Sequence, residues 1–166
     1  VSSAGDVNGD GVDDLIIGAL AVESNGTITA GESYVVFGGS GIGESGTIEL
    51  STLDGNNGFV LNGIDSYDGS GRSVSSAGDV NGDGVDDLII GARSADPNGT
   101  YGAGESYIVF GGSGVGSSGT IELSTLDGSN GFVVNGIDPR DLSGYSVSSA
   151  GDVNGDGVDD LIIGAR

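Results

Sequence analysis

The 166-residue sequence contains no cysteine, histidine, lysine, methionine or tryptophan. Without cysteine there can be no disulfides and no thiolate metal ligands. Without cysteine, histidine and lysine, most pairings of a nucleophile with a general base are missing too. We therefore predict that the protein is not an enzyme. Long apolar runs are also missing, so we expect no membrane insertion.

Positive charge is scarce in this chain. Four arginines stand against 25 acidic residues, which gives a net charge of −21 at pH 7. Such a chain repels the phosphate backbone, so we expect no nucleic-acid partner. The arginines are spread along the sequence, and we expect no anion site from them. The carboxylates must be either solvated or neutralised by cations, and their spacing distinguishes the two cases.

Proline occurs only twice, whereas glycine occurs 36 times without the period of collagen. The glycines mark turns within a long repeat. The segment VSSAGDVNGDGVDDLIIGA occurs three times, at 1–19, 74–92 and 147–165, so the repeat period is 73 residues. The sequence predicts two full units, 1–73 and 74–146, and the first half of a third unit at 147–166. Because the chain begins inside a repeat, we expect it to be a processed piece or an excerpt.

Each unit offers four strand candidates, which in the first unit are Val1–Ala4, Leu15–Ile17, Ser33–Phe37 and Phe59–Leu61. Residues 47–53 fit either a strand or one helical turn. We predict an all-β protein with four-stranded antiparallel blades of β-propeller type, about two and a half tandem 73-residue repeats. So few blades cannot close a ring. Other copies of the same chain or further blades of a larger protein are therefore expected to cover the open edges.

The most informative motif is the acidic loop Asp6–Asp14, which places side-chain oxygens at loop positions 1, 3, 5 and 9. Position 7, Val12, can offer only its carbonyl. Several carboxylates in one small loop repel each other unless a cation is bound, and Ca²⁺ prefers hard oxygen ligands in flexible geometry. An EF-hand is excluded because Ile17 stands where its bidentate glutamate belongs. The remaining alternative is a plain acidic hairpin turn.

We predict one Ca²⁺ per repeat, three in all, and expect the adjacent Asp13, Asp86 and Asp159 to face solvent. The predicted ligands are Asp6, Asn8, Asp10, Val12 and Asp14, then Asp79, Asn81, Asp83, Val85 and Asp87, then Asp152, Asn154, Asp156, Val158 and Asp160.

The stretch GDVNGDGVDDLIIGA resembles the FG-GAP repeat of integrin α subunits, whose calcium loop joins neighbouring strands of one blade. The resemblance implies a calcium-stabilised, extracellular or cell-surface module with a structural or adhesive role. A subunit of a self-assembling filament or array is one form of it. The alternative is a carbohydrate- or protein-binding module of a larger secreted protein, with an extracellular protein or glycan as ligand.

Two further features of the sequence are its Asn-Gly-Thr triplets and its closely spaced pairs of aspartates, and each has a simpler interpretation. Asn25 and Asn98 begin Asn-Gly-Thr sequons and are candidates for N-glycosylation, although Asn-Gly is also a common turn. The carboxylates of Asp65 and Asp68 could form a glycosidase-like pair, as could those of Asp138 and Asp141. We expect these four residues to be solvated loop acids.

Overall fold

The computed structural model describes residues 1–23 and 26–166, and short β-strands make up most of its regular structure. Three 3-10 turns lie between strands, at Leu50–Thr52, Pro97–Gly99 and Leu123–Thr125. No helix in the described ranges is long and apolar enough to cross a membrane. The strands are β1 (Ser2–Gly5), β2 (Asp14–Ala19), β3 (Glu32–Val36), β4 (Gly58–Asn62), β5 (Ser73–Gly78), β6 (Asp87–Ala92), β7 (Glu105–Val109), β8 (Thr120–Glu122), β9 (Gly131–Asn135), β10 (Ser146–Gly151) and β11 (Asp160–Gly164).

These strands form three sheets. The first sheet has the order β1-β2-β3-β4-β8, the second β5-β6-β7-β9, and the third β10-β11. All neighbours are antiparallel except β4 and β8, which are parallel. The predicted all-β architecture with antiparallel, blade-like sheets is confirmed.

The third sheet has two strands, and the first gains a fifth, strand β8. It belongs to the second repeat but pairs with the edge of the first sheet, with Val60 opposite Thr120 and Leu61 opposite Ile121. A 3-10 turn, Leu123–Thr125, follows it directly. In the first repeat the same three residues, at 47–49, form no strand, and only the 3-10 turn is present. At residues 47–53 the helical turn is therefore observed and the strand is not, whereas the equivalent residues of the second repeat form a strand followed by a helical turn.

The sheets pack face to face. Side chains of the first and second sheets share one buried cluster, which includes Ile16, Phe59, Leu88 and Tyr107. A smaller cluster, with Ile89 and Ile108 buried, joins the second sheet to the third. The second sheet is thus covered on both faces, and every residue of its strand β6 is buried. Burial of these β-branched and aromatic side chains is the main favourable term in the fold.

Candidate metal centre

Each acidic loop connects the first two strands of its sheet. Residues 6–13 lie between β1 and β2, residues 79–86 between β5 and β6, and residues 152–159 between β10 and β11. The flanking elements are strands, which agrees with the exclusion of an EF-hand. In every hairpin the register shifts just before the loop, as between Ser3 and Gly5 in the first. The shift is a bulge that turns the loop out of the ladder.

Within the first loop, alternate side chains fold inward onto their own backbone. The Asp6 carboxylate accepts hydrogen bonds from the amides of Asp10 at 2.9 Å and Gly11 at 2.8 Å. The Asn8 carbonyl accepts a second bond from the Asp10 amide at 2.8 Å, and the Asp10 carboxylate accepts one from Val12 at 2.9 Å. The polar side chains at positions 1, 3 and 5 therefore brace the turn.

The second and third loops repeat this pattern. Asp79 accepts hydrogen bonds from the amides of Asp83 at 3.0 Å and Gly84 at 2.8 Å. Asp152 accepts bonds from Asp156 at 3.1 Å and Gly157 at 2.8 Å. The amides at the turn lower the pKa of the Asp152 carboxyl.

The aspartate at loop position 9 anchors the loop to the sheet. Asp14 is buried and accepts hydrogen bonds from the amides of Val7 at 3.1 Å and Gly38 at 2.8 Å. Burial raises its pKa, and the negative charges of Asp10 and Asp6 add to the effect, while the two amides oppose it. One carboxylate thus joins the start of the loop to the second residue after the third strand.

The equivalent Asp87 is fully buried. It accepts hydrogen bonds from the amides of Val80 at 2.9 Å and Gly111 at 2.8 Å. Desolvation raises its pKa to about 6, with further contributions from Asp83 and Asp79. In the third loop Asp160 keeps the first of these bonds, from Val153 at 2.8 Å, but accepts its second from the Asn154 side chain.

The donor chemistry of these loops fits a hard divalent cation, because each gathers carboxylate and amide oxygens. In the first two loops one of these carboxylates, that of Asp14 or Asp87, is also buried near other negative charges. The side chains of the loops do not form a closed metal-coordination shell. Among residues 1–23 and 26–166, no three acidic side chains converge on a point where they could hold a metal ion. Their oxygens accept backbone hydrogen bonds instead, and metal ligation by the fifteen residues stays a prediction.

One expectation about the loops is wrong. The carboxylates of Asp86 and Asp159 do not simply face solvent. Asp86 accepts a hydrogen bond from the Asp6 amide of the preceding repeat at 2.8 Å, and Asp159 accepts one from Asp79 at 3.2 Å. Only Asp13, which has no preceding sheet beside it, is exposed. No local sequence pattern indicates this contact, because it forms only when two sheets stack.

The arginines lie closer together in space than their spread along the sequence suggests. The guanidinium carbons of Arg72 and Arg93 lie 5.6 Å and 5.3 Å from the ring centroid of Tyr145. A hydrogen bond from Arg72, followed by the charges of Arg72, Arg166 and Arg93, lowers the pKa of the Tyr145 hydroxyl. Three of the four arginines therefore gather around one side chain. The repeat period could have indicated this grouping. Arg72 and Tyr145 occupy the same repeat position, as do Arg93 and Arg166, and equivalent positions of consecutive repeats lie near each other when the sheets stack.

The remaining candidates fall in loops. Asn25 lies outside the described residues, while Asn98 is exposed on the turn Pro97–Gly99 with a φ of 53°; glycosylation stays a prediction. Asp68 is buried, contrary to expectation. Burial and the charges of Asp65, Glu105 and Asp96 raise its pKa to about 7. Asp138 is exposed, as expected.

The stacked sheets, each carrying an acidic loop between its first two strands, define an all-β repeat protein of blade-like units. Comparison with known families agrees. The model of the FG-GAP repeat matches residues 1–35, 70–109 and 143–166. The chain therefore belongs to the FG-GAP repeat family.

Similar proteins include two kinds of chain. Integrin alpha-5 of Xenopus laevis is 30% identical over 98% of this chain, and integrin alpha-PS2 of Drosophila melanogaster is 32% identical over 96%. Phosphatidylinositol-glycan-specific phospholipase D of Bos taurus is 30% identical over 98%. The chain spans only 14%, 11% and 18% of these relatives respectively. The similarity therefore concerns the repeats. It does not show that this chain has the phospholipase activity named for the bovine protein.

Proposed function

We propose that the chain is a calcium-stabilised structural or adhesive module of an extracellular protein. The observation that carries this proposal is the buried Asp87, whose pKa is raised to about 6 by desolvation and, to a smaller extent, by the negative charges of Asp83 and Asp79. Burying a carboxylate in a negatively charged loop lowers the stability of the fold at neutral pH. A divalent cation in the loop would offset that loss.

The loop residues would supply hard oxygen ligands to Ca²⁺ after rotation of side chains that now brace the turn. Asp87 would be central, because it already joins the amides of Val80 and Gly111. Fixing this carboxylate would fix the hairpin relative to the end of the third strand. Because the unfolded chain lacks the assembled loop, Ca²⁺ would stabilise the folded state by mass action.

A structural or adhesive role is supported by the chemistry of the chain and by its relatives. The sequence holds no histidine, cysteine or lysine, and integrin alpha chains are among the proteins it resembles. Extracellular placement is part of the same proposal and is supported by the high calcium concentration outside cells, at which a loop needs only modest affinity to be occupied.

The proposal is tested by calorimetric titration and thermal unfolding. We expect the wild-type chain to bind about three Ca²⁺ and the melting temperature to fall by roughly 5 °C or more in excess chelator. The variant Asp10→Asn/Asp83→Asn should bind about one Ca²⁺, since it weakens two of the three loops while each asparagine keeps an acceptor oxygen.

The matched control is Asp54→Asn/Asp127→Asn. It removes two charges at equivalent positions of turns outside the acidic loops. This variant should keep a stoichiometry of about three. A wild-type titration without heat, together with identical melting curves in calcium and in chelator, would refute the proposal.

A further inference from the structure

The first two repeats differ mainly in the loops at one edge of their sheets. In their strands only two positions differ, Val35 against Ile108 and Leu61 against Val134. Most of the other differences fall in the loops that follow the second and fourth strands, which are residues 20–29 against 93–102 and 66–72 against 139–145. A constant framework thus carries variable loops, which is how scaffolds commonly present binding residues.

These variable loops enclose a groove of about 580 Å³ at the junction of the first and second repeats. The first repeat contributes the loop that holds Tyr67 and Asp68, and the second contributes the loops that hold Asp96, Tyr101 and Arg140. The volume lies within the range of small-ligand sites. The loops follow β2, β4, β6 and β9, so the groove lies at the edge of the sheets opposite the acidic loops.

Backbone hydrogen bonds hold the walls of the groove together. The Ser94 amide donates to the Asp68 carbonyl oxygen at 3.2 Å, which joins the two repeats. The Arg140 amide donates to the Tyr101 carbonyl oxygen at 3.0 Å, which joins the two loops of the second repeat. The groove is therefore formed before any ligand enters, so that little ordering entropy opposes binding.

Two tyrosines on the walls are exposed. Tyr67 is 67% exposed and Tyr101 is 66% exposed. Tyr67 has a φ of 73°, and Arg140, at the same repeat position, has a φ of 71°. This left-handed conformation is unfavourable for residues with a side chain, yet both loops keep it at the groove. The tyrosine rings offer flat apolar faces with a polar hydroxyl at one end.

The buried polar group of the groove is the carboxylate of Asp68, a residue that is only 6% exposed. Within residues 1–23 and 26–166, no side chain donates a hydrogen bond to it, and the backbone amide of Asp65 is its one donor. The charges of Asp65, Glu105 and Asp96 oppose its ionisation. A ligand that donates hydrogen bonds would offset the desolvation of this carboxylate.

We propose that this groove binds a neutral oligosaccharide. The rings of Tyr67 and Tyr101 stack on the apolar faces of the sugar. The carboxylates of Asp68 and Asp96 accept hydrogen bonds from sugar hydroxyls. The Arg140 guanidinium, whose central carbon lies 5.7 Å from the ring centroid of Tyr101, donates to sugar oxygens beside that ring.

The mixture of charges favours this class of ligand over charged ones. A sugar hydroxyl both donates and accepts hydrogen bonds, so one ligand can satisfy the carboxylates and the guanidinium of the groove together. A basic side chain would be attracted by Asp68 but repelled by Arg140. An acidic glycan would be repelled by the net charge of −21. Glycan binding goes beyond the calcium proposal and uses other loops, so either can fail without the other.

The experiment probes an array of neutral and uronic-acid oligosaccharides with the fluorescently labelled chain in the presence of calcium. We expect neutral oligosaccharides to bind, and calorimetric titration then measures the dissociation constant of the strongest one. Tyr67→Ala and Tyr101→Ala should each raise this constant about tenfold, whereas Tyr67→Phe and Tyr101→Phe should keep most of the affinity because the ring remains. Asp68→Asn should also raise it about tenfold.

The matched control is Tyr145→Ala, which removes an exposed tyrosine outside the groove and should bind like the wild type. Circular dichroism and melting curves verify that every variant is folded. N-acetylarginine amide serves as a cationic probe and should not compete. An array without any bound neutral oligosaccharide overturns the proposal, and so does binding of N-acetylarginine amide or uronic-acid oligosaccharides alone. Wild-type affinity in both Tyr67→Ala and Tyr101→Ala would overturn it as well.

Discussion

At the scale of single residues, the glycine before each acidic loop has two separate tasks. All three copies have a positive φ, which favours glycine in the bulge. Gly5 and Gly78 also make room for an aspartate of the next sheet, whereas Gly151 does not. An added side chain would therefore meet a different environment at each glycine, although the local sequence is the same. Comparing the three positions separates the cost of backbone strain from the cost of crowding.

We expect Gly78→Ala to lower the free energy of unfolding by roughly 2–4 kcal/mol, because it adds left-handed strain and also expels Asp159 from its hydrogen bond. Gly151→Ala should cost only about 1 kcal/mol, since strain alone acts there. Urea unfolding measures the loss for each variant. Equal losses would show that the space at Gly78, which the Asp159 carboxylate occupies, contributes nothing to stability.

At the scale of elements, identical sequences take up different structures. The residues Thr-Ile-Glu form strand β8 at 120–122 but no strand at 47–49. The difference lies in the partner, because β8 pairs with the edge of β4, and the Asn62 side chain donates a hydrogen bond to Glu122 at 2.8 Å. A strand is stabilised by its neighbour, so propensity alone does not decide this segment.

The leucine that follows Thr-Ile-Glu in each repeat tests how much the neighbouring sheet contributes to stability. Leu123 is buried in the cluster between the first and second sheets. The equivalent Leu50 is only partly buried and lines a surface groove with Leu15 and Ile17. We expect Leu123→Ala to cost about 2–5 kcal/mol of unfolding free energy, as core truncations do. Leu50→Ala should cost about 1 kcal/mol or less. Chemical denaturation compares them, and a similar loss for both would contradict the packing described.

At the scale of the whole molecule, stacking brings acidic groups together. Asp65 and Asp68 of the first repeat approach Asp96 and Glu105 of the second, and their charges add to the burial that raises the pKa of Asp68 to about 7. A raised carboxyl pKa means that the folded state binds the proton more tightly than the unfolded state does. The stability that this group contributes is therefore complete below about pH 4 and is lost as the pH rises through about 7.

The variant Asp68→Asn should remove this pH dependence. We expect it to be more stable than the wild type at pH 8, by on the order of a few kcal/mol, and to lose that advantage below pH 4. Melting temperatures measured across this range in chelator test the sign. Asp141→Asn, at the matching position of the second repeat, controls for the removal of one negative charge. An advantage for Asp68→Asn that grows as the pH falls would contradict the assignment.

Much of the architecture was predictable from local pattern. The strands β1 to β4 and the turn-forming glycines follow from apolar runs bracketed by Gly and Asn. The acidic loops follow from the alternation of Asp6, Asn8 and Asp10. These features depend on neighbours along the chain, so one repeat of sequence contains all the information they need.

The contacts between repeats were not predictable in this way. The segment Asp-Leu-Ile-Ile-Gly is partly exposed in β2, fully buried in β6 and mostly half-buried in β11. The role of Asp86 and the burial of Asp68 also arise only where sheets meet. Each repeat is nearly the same in sequence, so sequence alone cannot distinguish their environments.

Local sequence is enough to specify the repeat unit, its strands and the oxygen-rich loop, because turn chemistry and hydrophobic alternation act over a few residues. Which faces are covered and which aspartates are buried is set by the packing of the sheets. The reason is that burial depends on the sheet that stacks against each face, and identical strands acquire different stability from different neighbours.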